Sequence, residues 1–139
     1  MFALSMVVVS CRKYQEGGLV GKADQRIQNS WELRAYYKNW DTSTDELLIQ
    51  NFKEEFQENG NYKRSYLNAD GALVQETGRW FFNETQTELH VNGCSPFQLS
   101  ETDSLVSTTK YRVVQLTPNA FKYSFVHDQQ LHEFSMTSN

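Results

Sequence analysis

The residues that could do chemistry in this chain are few and scattered. There are two cysteines, Cys11 and Cys94, and three histidines, His90, His127 and His132. His127 and His132 flank a short polar stretch beside Asp128 and Glu133. Nothing in that spacing brings together the three or four ligands that a zinc ion needs, so solvated hairpin histidines and no metal are expected. Glu54 and Glu55 are adjacent acids, but neighbours on a strand point to opposite faces and do not share a substrate. Cys94 could pair with a histidine only by an accident of folding, and it reads as a small buried or half-buried residue. Gly-x-Ser-x-Gly, a glycine-rich phosphate loop and His-Glu-x-x-His are all absent from the sequence. No enzyme activity and no cofactor are expected. What remains is recognition chemistry, hydrogen bonds and charge supplied by Gln50, Glu54, Tyr62, Arg64, Tyr66, Glu76, Tyr111 and Tyr123.

Those side chains meet only if strands carry them to a common face. From Ile27 onward the pattern alternates with period two, as half-buried strands do. The first strand spans about 30–38, with Trp31, Leu33, Ala35 and Tyr37 on one face and Glu32, Arg34, Tyr36 and Lys38 on the other. Residues 39–46 are polar and read as a loop. A second strand over about 47–57 aligns Leu48, Phe52 and Phe56, with Gln50 and Glu54 between them. Asn59-Gly60 is the strongest turn signal, since both residues tolerate the positive φ of a tight hairpin. Tyr62, Arg64 and Tyr66 follow on the inner face of a third strand; a one-residue slip in register would put Lys63 and Ser65 there instead. After a turn at 68–71, a fourth strand over about 73–82 aligns Val74, Glu76, Gly78, Trp80 and Phe82. Leu89 and Val91 mark a fifth strand, and an irregular stretch containing Pro96 holds a short edge segment near 97–99. Strands over about 107–116, around Phe121, Tyr123 and Phe125, and around His132, Phe134 and Met136 complete the chain. The fold class expected is all-β, a single antiparallel up-and-down barrel of eight strands, which removes its own edges.

The chain's 139 residues suffice for one domain. Aromatic residues make up 14%, enough large rings for so short a chain to bury a substantial core. The formal net charge is −4 and there is no basic stripe, which disfavours nucleic acid as a partner.

At the N-terminus, the apolar run 2–9 is too short to cross a membrane as a helix and has the length of a signal-peptide core. Val8-Val9-Ser10-Cys11 follows it and resembles the lipobox of bacterial lipoproteins. That resemblance implies cleavage before Cys11 and fatty acyl chains such as palmitate on its thiol. No Lys or Arg precedes the run, so the basic segment of a signal peptide is expected to be truncated here. Residues 1–10 are thus expected to be a signal peptide, 11–26 a lipidated cysteine with a flexible glycine-containing tether, and 27–139 the barrel.

The barrel segment in turn resembles the lipocalin-like domains of Bacteroidetes-type lipoproteins. The residues that carry the likeness are Ser30-Trp31, Phe56 with Asn59-Gly60 and Tyr62, Gly78-Arg79-Trp80, and Leu116-Thr117-Pro118-Asn119 leading to Phe121. Asn29 stands where transport lipocalins have a glycine two residues before the Trp, so the likeness is to the lipocalin-like fold. It implies that Trp31, Phe56, Gly78 and Trp80 close one end of the barrel. It also implies a membrane-anchored, monomeric protein of the cell envelope, on the outer membrane; Arg12-Lys13-Tyr14-Gln15-Glu16 lacks the acidic run that follows the cysteine in surface-exported lipoproteins of this type, so a periplasm-facing position is expected. The leading expectation is an open cavity of a few hundred Å³ that takes a small hydrophobic or amphipathic ligand through Tyr62, Arg64, Tyr66, Glu76, Tyr111 and Tyr123. The alternative is a filled barrel that binds an envelope protein or glycan through its surface, with Tyr36, Trp40 and Phe97 forming an exposed patch.

Overall fold

Alternating large and polar residues build one continuous antiparallel sheet in the computed structural model, which describes residues 14–17, 22–107 and 109–139. Cys11 and the apolar run before it lie outside these residues. A short helix, α1 (Ala23–Ile27), precedes the strands β1 (Ser30–Lys38), β2 (Asp41–Thr42), β3 (Gln50–Phe56), β4 (Asn61–Leu67), β5 (Leu73–Phe82), β6 (Glu88–Asn92), β7 (Lys110–Leu116), β8 (Ala120–His127) and β9 (Gln130–Ser138). From β3 to β9 each strand pairs with the next in sequence. β1 pairs with both β3 and β9, which closes an eight-stranded up-and-down barrel and leaves β2 as a short addition. The all-β barrel read from the sequence is the fold observed.

The turns follow from residues that accept positive φ. Gly60 has a φ of 78°, which ends the β3–β4 loop. Asp128 and Gln129, at 51° and 62°, make a two-residue turn between β8 and β9. Asn39 and Trp40, at 51° and 68°, make another between β1 and β2, within a stretch expected to be loop only. At Gly78 the need is for space: a Cβ there would lie 2.0 Å from the Asn92 carbonyl oxygen.

Three register shifts interrupt the pairing of the described strands, one of them on β7 between Val113 and Gln115, and the other two move residues off the faces read from the sequence. The register of β1 against β9 shifts between Leu33 and Ala35, so Trp31 points inward before the bulge and Tyr36 after it. Tyr36, expected on the outer face, is fully buried. A bulge inserts one residue and so inverts the pattern that follows. A second shift lies between Gln50 and Lys53, where Asn51 takes a φ of 54°. Gln50 is consequently exposed, not inward, and Ile49 is buried in its place.

One end of the core lies where β1 begins. Trp31 is fully buried there, donates from Nε1 to the Ile27 carbonyl at 3.0 Å, and packs on Phe121 at 5.5 Å. Phe56 meets both Phe121 and Trp80 edge-on. A five-residue helix is too short to persist in water; α1 is held by burial of Ala23 and Ile27. The segment expected to be a free tether is packed where it is described. Tyr14 is buried and donates to the Gln86 carbonyl at 2.9 Å, and the Glu16 amide donates to the Val114 carbonyl at 2.9 Å.

Candidate ligand-binding interior

The polar residues of the interior come from three adjacent strands. β4 lies between β3 and β5, and the register sets Glu54 opposite Arg64 and Arg64 opposite Glu76. One step toward the closed end, Phe56, Tyr62 and Gly78 form the next inward row; one step the other way, Tyr66 faces Val74. Directly opposed side chains on one face are close enough to interact. The row Glu54–Arg64–Glu76 is therefore an acid–base–acid ladder across the barrel wall. Tyr62, Arg64 and Tyr66 point inward, so the register that would have buried Lys63 and Ser65 is not the one adopted.

The guanidinium of Arg64 is 4% exposed and well engaged. Its Nη2 donates to Glu76 Oε1 at 2.5 Å and to the Ser95 carbonyl at 3.0 Å. Glu76 Oε2 in turn accepts from the Ser95 amide at 2.6 Å. Burial alone would raise the Glu76 carboxyl, but these hydrogen bonds and the charge of Arg64 hold it below its ordinary value. The pair thus clamps the start of the segment between β6 and β7. Phe97 of that segment lies beneath Arg64, its ring 4.5 Å from the guanidinium carbon.

Glu54 is 1% exposed and has a different fate. Burial pushes its carboxyl up to about 7, against the opposing effects of a hydrogen bond from Tyr123 and the charge of Arg64. The Tyr123 hydroxyl donates to Glu54 Oε1. The Tyr62 hydroxyl faces the same carboxyl and favours its charge, yet it makes no aligned hydrogen bond. Tyr111 packs against Tyr123 with ring centres 4.6 Å apart. Burial raises the phenols of Tyr62 and Tyr123 well above their ordinary value, so both remain protonated donors. Among the described residues, three buried polar atoms of this cluster have no hydrogen-bond partner: Glu54 Oε2, the Tyr62 hydroxyl oxygen and Arg64 Nε. Cys94 is half-buried and forms no disulfide among the described residues, and burial raises its thiol, which opposes thiolate formation.

Above the cluster the barrel is filled with rings. Phe97 stacks on Phe52 at 6.2 Å and touches Tyr66 at 5.6 Å, while Phe52 meets Phe134 edge-on at 5.4 Å. The open aromatic cup expected from the sequence is thus occupied by a side chain of the β6–β7 segment. That segment is fastened at further points. Phe97 and Val106 exchange backbone hydrogen bonds, Lys38 pairs with Asp103 at 3.1 Å, and Ser100 donates to Asp103 at 2.7 Å. The described clefts open on the outside; one of about 420 Å³ runs along β3–β5 past Lys53, Lys63, Ser65, Gln75 and Thr77.

Several placements differ from expectation. Tyr36 and Phe97 are buried, so they do not join Trp40, which is 76% exposed, in a surface patch. His132 is fully buried; its Nδ1 lies 2.6 Å from the Tyr36 hydroxyl and burial favours its neutral form. The reading of His132 as a solvated hairpin residue is corrected accordingly. Among the described residues, no group of three or more His, Cys, Asp or Glu gathers as a metal site. Trp31, Phe56, Gly78 and Trp80 all sit at the closed end, and Trp80 donates from Nε1 to the Gln57 carbonyl at 2.9 Å. Phe97 was missed as an interior residue, although a large ring beside Pro96 in a polar stretch is the signal that could have found it.

A closed up-and-down barrel with an aromatic plug, a helix at one end and loops over the other is a lipocalin-like fold. Among solved structures, the chain is similar to a lipocalin-like protein from Bacteroides uniformis, with a TM-score of 0.53, 12% identity, and 82% of this chain and 99% of that one covered. It is also similar to an uncharacterized protein from Bacteroides eggerthii, with a TM-score of 0.51, 12% identity, and 80% and 98% of the two chains covered. Japanin from Rhipicephalus appendiculatus, determined with cholesterol bound, matches with a TM-score of 0.52, 9% identity, and 80% and 74% covered. No protein-family model and no curated protein sequence matches the chain.

Proposed function

We propose that this barrel is a binding protein that takes a small amphipathic molecule into its interior, entering from the end covered by the β6–β7 segment and displacing Phe97. The observation that carries this reading is the set of unpaired polar atoms on Glu54, Tyr62 and Arg64, beneath the ring of Phe97. A buried unpaired group costs on the order of 1–3 kcal/mol, and a ligand that satisfies several of them recovers that cost. Fold alone does not name the ligand; the cholesterol in japanin is an example of an apolar body with one polar group. Glu54 titrates in the range of a general acid or base, but its neighbours are phenols, rings, a protonated thiol and an arginine already bonded to Glu76, groups that hold a molecule in place. Binding is therefore the activity proposed, without catalysis and as a monomer.

The same proposal includes anchoring by a lipid on Cys11 in the cell envelope, facing the periplasm. Tyr14 is bonded to Gln86 and Glu16 to Val114, at the closed half of the barrel. Three residues span at most roughly 10 Å, so a lipid on Cys11 holds the closed end toward the membrane and turns the ligand entrance away. Native mass spectrometry of the protein extracted gently from its own cells tests both parts. The expected spectrum shows a cleaved, acylated N-terminus and an additional noncovalent mass; an unmodified cysteine overturns the anchor, and a bare protein mass the ligand.

A second reading has its own observation: the interior rings are in contact and the polar cleft on β3–β5 lies outside. In that reading the barrel is a solid support, and the outer cleft binds a glycan or an envelope protein.

A further inference from the structure

The unpaired atoms of the interior have a definite hydrogen-bonding character. Glu54 Oε2 is an acceptor when the carboxyl is ionised, while the Tyr62 hydroxyl and the Arg64 Nε–H are donors. One acceptor and two donors are the complement of a single alcohol group, which offers one O–H and two lone pairs. A carboxylate offers lone pairs only and leaves Glu54 Oε2 unsatisfied. It also adds a negative charge between Glu54 and Glu76, where the cation present, Arg64, is already committed to Glu76 and the Ser95 carbonyl. The other groups facing the cluster, Tyr111 and Tyr123 from β7 and β8 and the half-buried Cys94, are neutral and bring no balancing positive charge.

We infer that the Glu54–Tyr62–Arg64 cluster is a head-group subsite selective for uncharged, hydroxyl-bearing amphiphiles over carboxylates of the same length. This inference rests on the ligand-binding reading above. Glu54 Oε2 accepts the ligand's O–H, and Tyr62 and Arg64 donate to its oxygen. Phe52, Tyr66 and Phe134 contact the apolar chain once Phe97 has left.

The test is displacement of diphenylhexatriene, a fluorophore with no polar atom, from the full chain by 1-dodecanol and by dodecanoate at pH 8. Dodecanol is expected to bind at least about tenfold tighter, because burying a second unpaired charge costs more than the roughly 1.4 kcal/mol that a tenfold ratio represents. Glu54→Gln replaces the acceptor with an amide that also donates, and it is expected to erase or invert that ratio. Tyr62→Phe is expected to weaken dodecanol several-fold while leaving the fluorophore unchanged, and it keeps the test decisive if the Gln variant does not fold. Equal or tighter binding of dodecanoate to the wild type, or a ratio that neither variant alters, overturns the subsite and leaves the binding reading standing. If neither the fluorophore nor either amphiphile binds the wild type or Phe97→Ala, the cluster holds only buried water and both readings fall.

Discussion

At Glu54, burial opposes ionisation while Tyr123 and Arg64 favour it, and burial prevails: the carboxyl keeps its proton to about pH 7, against an ordinary value of 4.5. A carboxyl raised in the folded state contributes most when both states are protonated. Its contribution is full below about pH 4.5 and is lost as the pH climbs through about 7. The loss is on the order of 3 kcal/mol, at about 1.4 kcal/mol per pH unit. Glu76 and Asp103 act with the opposite sign, since hydrogen bonds hold both below their ordinary values and their contributions vanish on acidification. Comparing Glu54→Gln with the wild type cancels those shared terms. The variant is expected to gain stability relative to the wild type between pH 5 and pH 8, read as a growing difference in urea midpoint. A difference that does not change with pH contradicts the account of Glu54.

At the scale of single elements, the β6–β7 segment behaves as a plug whose key side chain is Phe97. Phe97→Ala removes a buried ring and is expected to destabilise the protein by roughly 3–5 kcal/mol, a loss measurable by thermal unfolding. If the ring occupies the ligand's place, the same variant binds diphenylhexatriene more tightly than the wild type; weaker binding contradicts the plug. On β5, Gly78→Ala drives a methyl into the Asn92 carbonyl and is expected to cost about 1–3 kcal/mol, with no effect if β6 can move aside freely. Glycine at 78 leaves room for the Asn92 backbone, which any side chain there would meet. The bulges were not legible. Leu33-Arg34-Ala35 and Gln50-Asn51-Phe52 look like unbroken strand, and the extra residue is accommodated by pairing with β9 and β4, which local sequence does not reveal. Tyr36 and Gln50 were assigned to the wrong faces for that single reason.

For the molecule as a whole, the order of the strands and the closed aromatic end were legible, because turn residues and period-two alternation recur from Ser30 to Met136. The inward set on β4, β5 and β8 followed from the same alternation, while on β7 it holds for Tyr111 and Val113 and then breaks at the shift that turns Leu116 inward. What stayed hidden was how the interior is filled, since that depends on an irregular segment folding back across the barrel. A closed end packed with Trp31, Phe56 and Phe121 and a far end covered by loops give the barrel a direction. The central claim is that the far end opens to admit a ligand down to the Glu54 row. The most direct measurement is an NMR titration of tyrosine-labelled protein with 1-dodecanol. Saturable shifts of the buried tyrosines 62, 66, 111 and 123, with little change at the outward-facing Tyr37, are the predicted result. Unchanged interior rings, or shifts confined to the outer cleft of Lys53, Lys63 and Gln75 in a parallel amide spectrum, contradict it.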